Sequence, residues 1–173
     1  MSPVSDGWRA PGPEACPAPP EPDAANGYLS EHVGLLCRSH RHWTGRDLVV
    51  DAGSPFELAK RVYEAPFVVL SHGADSDPIV SYGNRAALAL FELSWAELIR
   101  LPSRLTAEAP ERAERARLLA LVGAHGFIDD YTGVRVSRSG RRFRIEGAQV
   151  WNLIDPDGRL CGQAATFSRW TYL

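Results

Sequence analysis

The last third of the chain constrains its fold most. Phe127 to Ser137, Arg142 to Ile154 and Leu160 to Arg169 read as three long strands, separated by tight turns at Ser139-Gly140 and Asp155-Pro156-Asp157-Gly158. Three long strands joined by two tight turns form an antiparallel meander. Its strands carry apolar residues on both parities, with Ile128, Val134 and Val136 opposed to Phe127 and Tyr131, and Val150 opposed to Trp151. Both faces of the sheet therefore need cover. Phe143 and Ile145 share odd parity with Trp151 and Leu153, which places Trp151 in the core, and a bulge near Gly147 would reverse that relation.

The residues before the meander supply the cover. Phe67 to Ser71 and Ile79 to Tyr82 are short strands around the turn Asp75-Ser76-Asp77-Pro78. Asn84 caps a helix from Arg85 to Phe91, and Ser94-Trp95-Ala96-Glu97 is a capping box whose helix ends before Pro102. Thr106 to Ala124 is the longest helix. Glu108/Arg112 and Glu111/Arg115 lie on its wet side, Ala116, Leu118, Leu119 and Val122 face inward, and Gly123 or Gly126 ends it. This order predicts an α+β fold, a five-stranded antiparallel sheet with helices on one face, the first hairpin lying beside the meander.

Two further helices precede this unit. Tyr28, Leu29, His32, Val33 and Leu36 recur at helical spacing, and Ser54, Pro55 and Glu57 open a second helix carrying Phe56, Leu58, Ala59, Val62 and Tyr63. Helices 28–42 and 55–65 are predicted to pack on the outer sheet face, within one chain or exchanged between two. Residues 1–26 hold seven of the 13 prolines and almost no branched apolar side chains, which predicts a disordered leader. No PxxP with a basic anchor supports a polyproline recognition segment. The expected division is 1–26 leader, 27–65 helical extension and 66–173 main domain.

Composition narrows the partners. A net charge of -2 argues against a general nucleic-acid binder. No apolar run approaches the roughly 20 residues that span a bilayer, and the first residues do not read as a secretory signal. The three cysteines, Cys16, Cys37 and Cys161, form no CxxC pair and read as reduced thiols, so a cytoplasmic setting is expected.

The element order is that of a PAS domain, and Asp77-Pro78-Ile79-Val80-Ser81-Tyr82-Gly83-Asn84-Arg85-Ala86-Ala87-Leu88 resembles the PAS hairpin running into an asparagine-capped helix. More narrowly, Tyr82 to Leu88, Leu101-Pro102-Ser103-Arg104, Glu114 to Leu119, Gly126 to Tyr131, Ser139 to Phe143, Val150 to Leu153 and Cys161 to Phe167 resemble the MEKHLA family of PAS-like domains. The resemblance covers about residues 28–170 and implies a stand-alone member. Plant class III homeodomain–leucine zipper factors carry the same domain at their C-terminus. Neither a homeodomain nor leucine heptads are read here, so DNA binding is not carried over.

A PAS fold implies a pocket between helices and inner sheet face. The polar and aromatic candidates for it are His72, Tyr82, Trp95, Arg104, Tyr131, Trp151, Cys161 and Gln163. For the aromatics, core packing is the competing reading; for Arg104 it is an ion pair with Asp129 or Asp130. Small residues at Gly162, Ala164 and Ala165 either leave room for a ligand or admit a close neighbour.

The sequence leaves the cofactor unknown and weighs against the familiar ones. A photoactive flavin domain needs a cysteine on the short helix after the asparagine cap, and none lies between Cys37 and Cys161. For haem, the available histidine is His125, at a frayed helix end; His32, His40 and His42 lack metal partners at ligand spacing. Asp129 and Asp130 are neighbours on a strand and point apart, so they make no acid–base dyad. Cys161 with His125 lacks an orienting third group. Arg135, Arg138, Arg141, Arg142 and Arg144 read as solubilising charges on one hairpin, with binding of an acidic partner as the alternative.

The expected function is a non-enzymatic sensory or interaction domain. It binds a small apolar or amphipathic ligand or a protein partner and signals through self-association. The alternatives are a structural dimer module with a filled core and, third, a small enzyme of a pocketed α+β fold.

Overall fold

The computed structural model describes residues 19–50 and 53–173. Helices α1 (Ser30–Thr44) and α2 (Pro55–Glu64) precede strands β1 (Val68–His72) and β2 (Val80–Gly83). Helices α3 (Arg85–Phe91) and α4 (Trp95–Leu98), a 3-10 turn at Ser103–Thr106 and helix α5 (Ala109–His125) follow. Strands β3 (Phe127–Val136), β4 (Arg142–Ile154), β5 (Leu160–Phe167) and β6 (Arg169–Tyr172) complete the chain.

All pairings are antiparallel, in the order β2-β1-β5-β4-β3, with β6 also on β4. The expected single last strand breaks at Ser168, but both halves keep one register against β4: Gln149 opposes Thr166, and Glu146 opposes Arg169. The sheet is thus the expected five-stranded one with its last strand bent.

The bend coincides with Gly147, whose φ is 62°. Only glycine holds that region without strain, and the extra residue shifts the β3–β4 pairing between Tyr131 and Gly133. Side-chain parity reverses across it. Phe143, Ile145 and Ala148 join a core with α3, whereas Trp151 and Leu153 join the core under α1 and α2. Trp151 is fully buried, as expected, but on the face opposite Phe143.

Helices therefore cover both faces. Helix α1 lies along β4: Trp151 Nε1 donates to the Leu36 carbonyl at 3.2 Å, Trp43 Nε1 to the Asn152 carbonyl at 2.9 Å, and the Ile154 amide to Ser39 Oγ at 3.0 Å. The N-terminal helices take the outer face within this chain, one of the two arrangements expected.

Asn84 joins the layers. Its Oδ1 accepts from the Ala87 and Val69 amides at 3.1 and 3.0 Å, and its Nδ2 donates to the Val62 and Phe67 carbonyls at 3.1 and 2.7 Å. One buried amide thus caps α3 and ties it to α2 and β1.

The leader expectation needs correction at its end. Residues 1–18 lie outside the described residues, but Pro19 accepts a hydrogen bond from Trp95 Nε1 at 2.7 Å, Glu21 accepts one from the Tyr63 hydroxyl, and Pro22 is buried. Helix α5 also starts later than expected, because residues 103–106 form the 3-10 turn and Glu108 becomes the N-cap.

Candidate functional site

Alternation along β1 turns Leu70 and His72 toward the inner face, and β4 and β5 bring Ala148, Val150, Gln163 and Ala165 beside them. Helix α5 and the Ser103–Thr106 turn lie over this surface. Between them is a cavity of about 70 Å³, lined by these residues together with Phe91, Ser103, Arg115, Leu118, Tyr131, Arg135 and Phe167. A single water needs roughly 10–15 Å³ of such space, so the cavity takes a small group of heavy atoms. His72, Ser103, Arg115, Leu119 and Gln163 also line an adjoining groove of about 410 Å³, which reaches Asp75, Asp77 and Arg104. Those shared residues form the neck between an apolar interior and a polar mouth.

The neck carries polar atoms without partners. Ser103 is 3% exposed, and its Oγ makes no hydrogen bond. His72 Nδ1 donates to the Gly73 carbonyl at 2.8 Å, which leaves Nε2 as an acceptor, buried and unpartnered. Burial holds the His72 pKa below its ordinary value, with a smaller contribution in the same direction from the Arg115 cation. Gln163 is satisfied: its Nε2 donates to the Leu119 carbonyl at 2.9 Å and to Asn152 Oδ1 at 3.1 Å.

Two guanidinium groups face the same space. Arg135 is 8% exposed, lies 5.4 Å from the Tyr131 ring centroid, and donates to its own neighbour's carbonyl at Val134 and to the Tyr131 hydroxyl. Arg115 has no carboxylate within 4.0 Å among the described residues. Burial first, and the Arg135 cation second, pull the Arg115 pKa down to about 10.

Of the residues singled out from the sequence, His72, Tyr131 and Gln163 line the cavity, and Arg104 lines the groove. Arg104 is held by Asp77 at 3.1 Å rather than by Asp129 or Asp130; Asp129 pairs with Arg46 instead. Tyr82, Trp95 and Trp151 are not pocket residues. A register shift at Ser71/His72 turns Tyr82 outward and the Gly147 bulge turns Trp151 outward, so both join Trp95 in the core beneath α1 and α2. Cys161 is exposed, its thiol donates to the Leu153 carbonyl, and partial burial followed by Asp155 raises its pKa. A raised thiol is a poor nucleophile. His125 caps its own helix on the Leu121 carbonyl and lines neither cavity nor groove.

Both readings of the small residues hold, at different positions. Ala165 faces the cavity, while Ala164 also meets the outer core. A Cβ at Gly162 would collide with the His72 carbonyl oxygen, so glycine there lets β1 approach.

Sequence reasoning missed Arg115, Arg135 and Ser103. The Glu111/Arg115 pair suggests the wet side, yet Arg115 stands at helical spacing from Leu118, Leu119 and Val122, which is the signal that places it on the inner stripe. Arg135 belongs by sequence to the cluster of solubilising arginines but is buried in the structure. The others of that group do sit outside: Arg138 pairs with Glu97, Arg142 pairs with Glu108, Arg141 stacks on Tyr172, and Arg144 is exposed.

Comparison with solved structures places this architecture among PAS folds. The PAS domain of a protein from Colwellia psychrerythraea is 12% identical, with a TM-score of 0.56 over 66% of this chain and 92% of that one. An RNA-binding Light-Oxygen-Voltage receptor is 17% identical, with a TM-score of 0.55 over 69% of this chain and 33% of that one. A Light-Oxygen-Voltage domain studied with a flavin analogue is 14% identical, with a TM-score of 0.53 over 67% and 84%. These likenesses carry the fold alone. Among curated proteins, homeobox-leucine zipper protein HOX29 of Oryza sativa subsp. indica is 28% identical over 145 residues, 80% of this chain. Its counterpart in Oryza sativa subsp. japonica is 27% identical over 145 residues. The chain spans 16% of the length of each. Residues 30–172 match the MEKHLA domain from α1 through β6, and the chain belongs to the MEKHLA domain family.

Proposed function

We propose that this domain is a non-enzymatic sensor whose input is a small amphipathic ligand held between α5 and the inner sheet face. The observation that carries the reading is the joined cavity and groove, apolar inside and lined at the neck by unpartnered polar atoms. Pockets of this composition suit a ligand with an apolar body and one oriented polar group. The family relation to PAS-like domains supports a sensory role.

The output runs through the sheet. Val150 and Ala165 face the cavity, while the adjacent Trp151 and Ala164 meet the core under α1 and α2. An occupant that shifts β4 or β5 therefore acts on the packing of the N-terminal helices, and self-association is the readout proposed. Among the described residues no helix is long and apolar enough to cross a membrane.

Native mass spectrometry of the freshly purified full chain, paired with light scattering at several concentrations, tests this. A retained small molecule whose removal changes the oligomeric state supports the reading. An empty chain with a fixed dimeric mass favours a structural dimer module instead.

A further inference from the structure

The cavity and its neck together hold positive charge that the protein itself does not neutralise. Arg115 and Arg135 both line the cavity, and neither has a carboxylate partner among the described residues. The acids of the groove do not supply one: Asp77 is engaged by Arg104, and Asp75 is exposed at the mouth. Arg135 is buried and Arg115 half-buried, and a guanidinium withdrawn from water is ordinarily held by an acid, because its desolvation otherwise goes uncompensated. Tyr131 holds Arg135 in place by stacking and by its hydroxyl, so this cation is positioned rather than mobile. Beside them the Ser103 hydroxyl, almost fully buried, has a proton to donate and no acceptor.

Resting on the ligand-binding reading above, we infer that the occupant is an organic anion: an acid head held at the neck by Arg115 and Ser103, and a short apolar tail inside the cavity against Leu118, Ala148 and Phe167. The head supplies the missing counter-charge and accepts the serine proton. The small interior volume sets the tail at a few carbon atoms. Carboxylate and phosphate monoester heads share this chemistry, because guanidinium accepts either in a forked geometry.

The test titrates the full chain with hexanoate, butyl phosphate and neutral 1-hexanol, following heat and thermal shift. Hexanoate or butyl phosphate should bind saturably and raise the melting temperature, and whichever binds more tightly names the head group. Arg115→Met should weaken that acid about tenfold or more, the size expected for losing a charge-assisted hydrogen bond, while leaving 1-hexanol unaffected. The same variant without ligand should melt at the wild-type temperature or above it, since it loses an uncompensated cation. Ser103→Ala, which removes a hydroxyl the empty protein does not use, should weaken the acid severalfold with an unchanged melting temperature.

Equal binding of 1-hexanol and hexanoate, indifferent to both variants, would overturn the anion while leaving a ligand pocket standing. Marked destabilisation of the empty chain by Arg115→Met, with Ser103→Ala binding hexanoate as wild type does, would overturn it too and make Arg115 structural. Absence of binding by all three probes, with no molecule retained in native mass spectrometry, would overturn both this inference and the sensory reading.

Discussion

Trp151 donates its indole N–H to the Leu36 carbonyl at 3.2 Å, across the interface between β4 and α1. The next residue along the strand, Val150, lines the cavity on the opposite face. Two adjacent side chains thus touch the pocket and the N-terminal helices, and this pair is the shortest link between input and output in the proposed mechanism. Trp151→Ala should cost about 3–5 kcal/mol in urea unfolding, from lost packing and the cavity left behind. Trp151→Phe should cost about 1–2 kcal/mol, from the smaller ring and the lost indole hydrogen bond, the Leu36 carbonyl keeping its bond within α1. A cost below about 1 kcal/mol for the alanine variant, within the range of surface substitutions, would contradict the burial.

A chain starting at Pro66 should expose the outer face that carries Val69, Trp151 and Leu153, and should aggregate or bind a hydrophobic dye. A chain starting at Gly27 keeps the helices but loses the Pro19 and Glu21 contacts. It should remain folded and lose about 1–3 kcal/mol, since Trp95 Nε1 and the Tyr63 hydroxyl lose their acceptors. Light scattering and denaturant midpoints of the two chains separate these outcomes.

Asn84→Ala should be among the most damaging single substitutions. It leaves the Ala87 and Val69 amides and the Phe67 carbonyl without the partner Asn84 supplies, while the Val62 carbonyl keeps only the Ala65 amide. Each buried unsatisfied group costs about 1–3 kcal/mol, so a total loss above about 3 kcal/mol is expected, read as a shift in the denaturant midpoint. Asn84→Asp keeps both accepting bonds, loses both donating ones and buries a charge, and should be no better tolerated.

Stability should fall as the solution is made acid. Burial depresses the pKa of His72, which faces the Arg115 cation and the Gly73 carbonyl. Burial likewise depresses that of His32, which meets Ser71 Oγ at 2.9 Å and the Tyr82 ring. A depressed folded-state pKa means the unfolded chain takes the proton first. The contribution is therefore full above about pH 6.5, the ordinary histidine value, and declines as the pH falls from there through the folded-state values. Urea midpoints at pH 7.5 and 5.5 measure it, and His72→Gln should shrink the difference.

Ala165→Leu should fill part of the cavity from β5. Filling free space is tolerated far better than crowding a packed core, so the variant should stay within about 1–2 kcal/mol of wild type while losing any retained ligand. Native mass spectrometry reads the loss directly. A variant that keeps a bound molecule with wild-type occupancy would place that molecule elsewhere.

Local signals settled much of this molecule in advance. The meander, the Asn84 cap, the Ser54 and Ser94 caps, and the two N-terminal helices follow from residue types at short spacing, because capping and alternation act between residues a few positions apart. Apolar residues on both strand parities also announced two covered faces. The tertiary structure alone decided which face each side chain took. One extra residue at Gly147 and the register shift at Ser71/His72 reverse parity, and so carried Trp151 and Tyr82 out of the pocket and under α1 and α2. It also decided which arginines face the pocket: Arg135 is buried there and Arg115 half-buried, whereas Arg144 is exposed, because the pocket lies between a helix and a sheet that meet through residues far apart in the chain. Spacing within a helix tells which residues share a face, as it does for Arg115 with Leu118, Leu119 and Val122, but how deeply that face is enclosed depends on where distant segments pack.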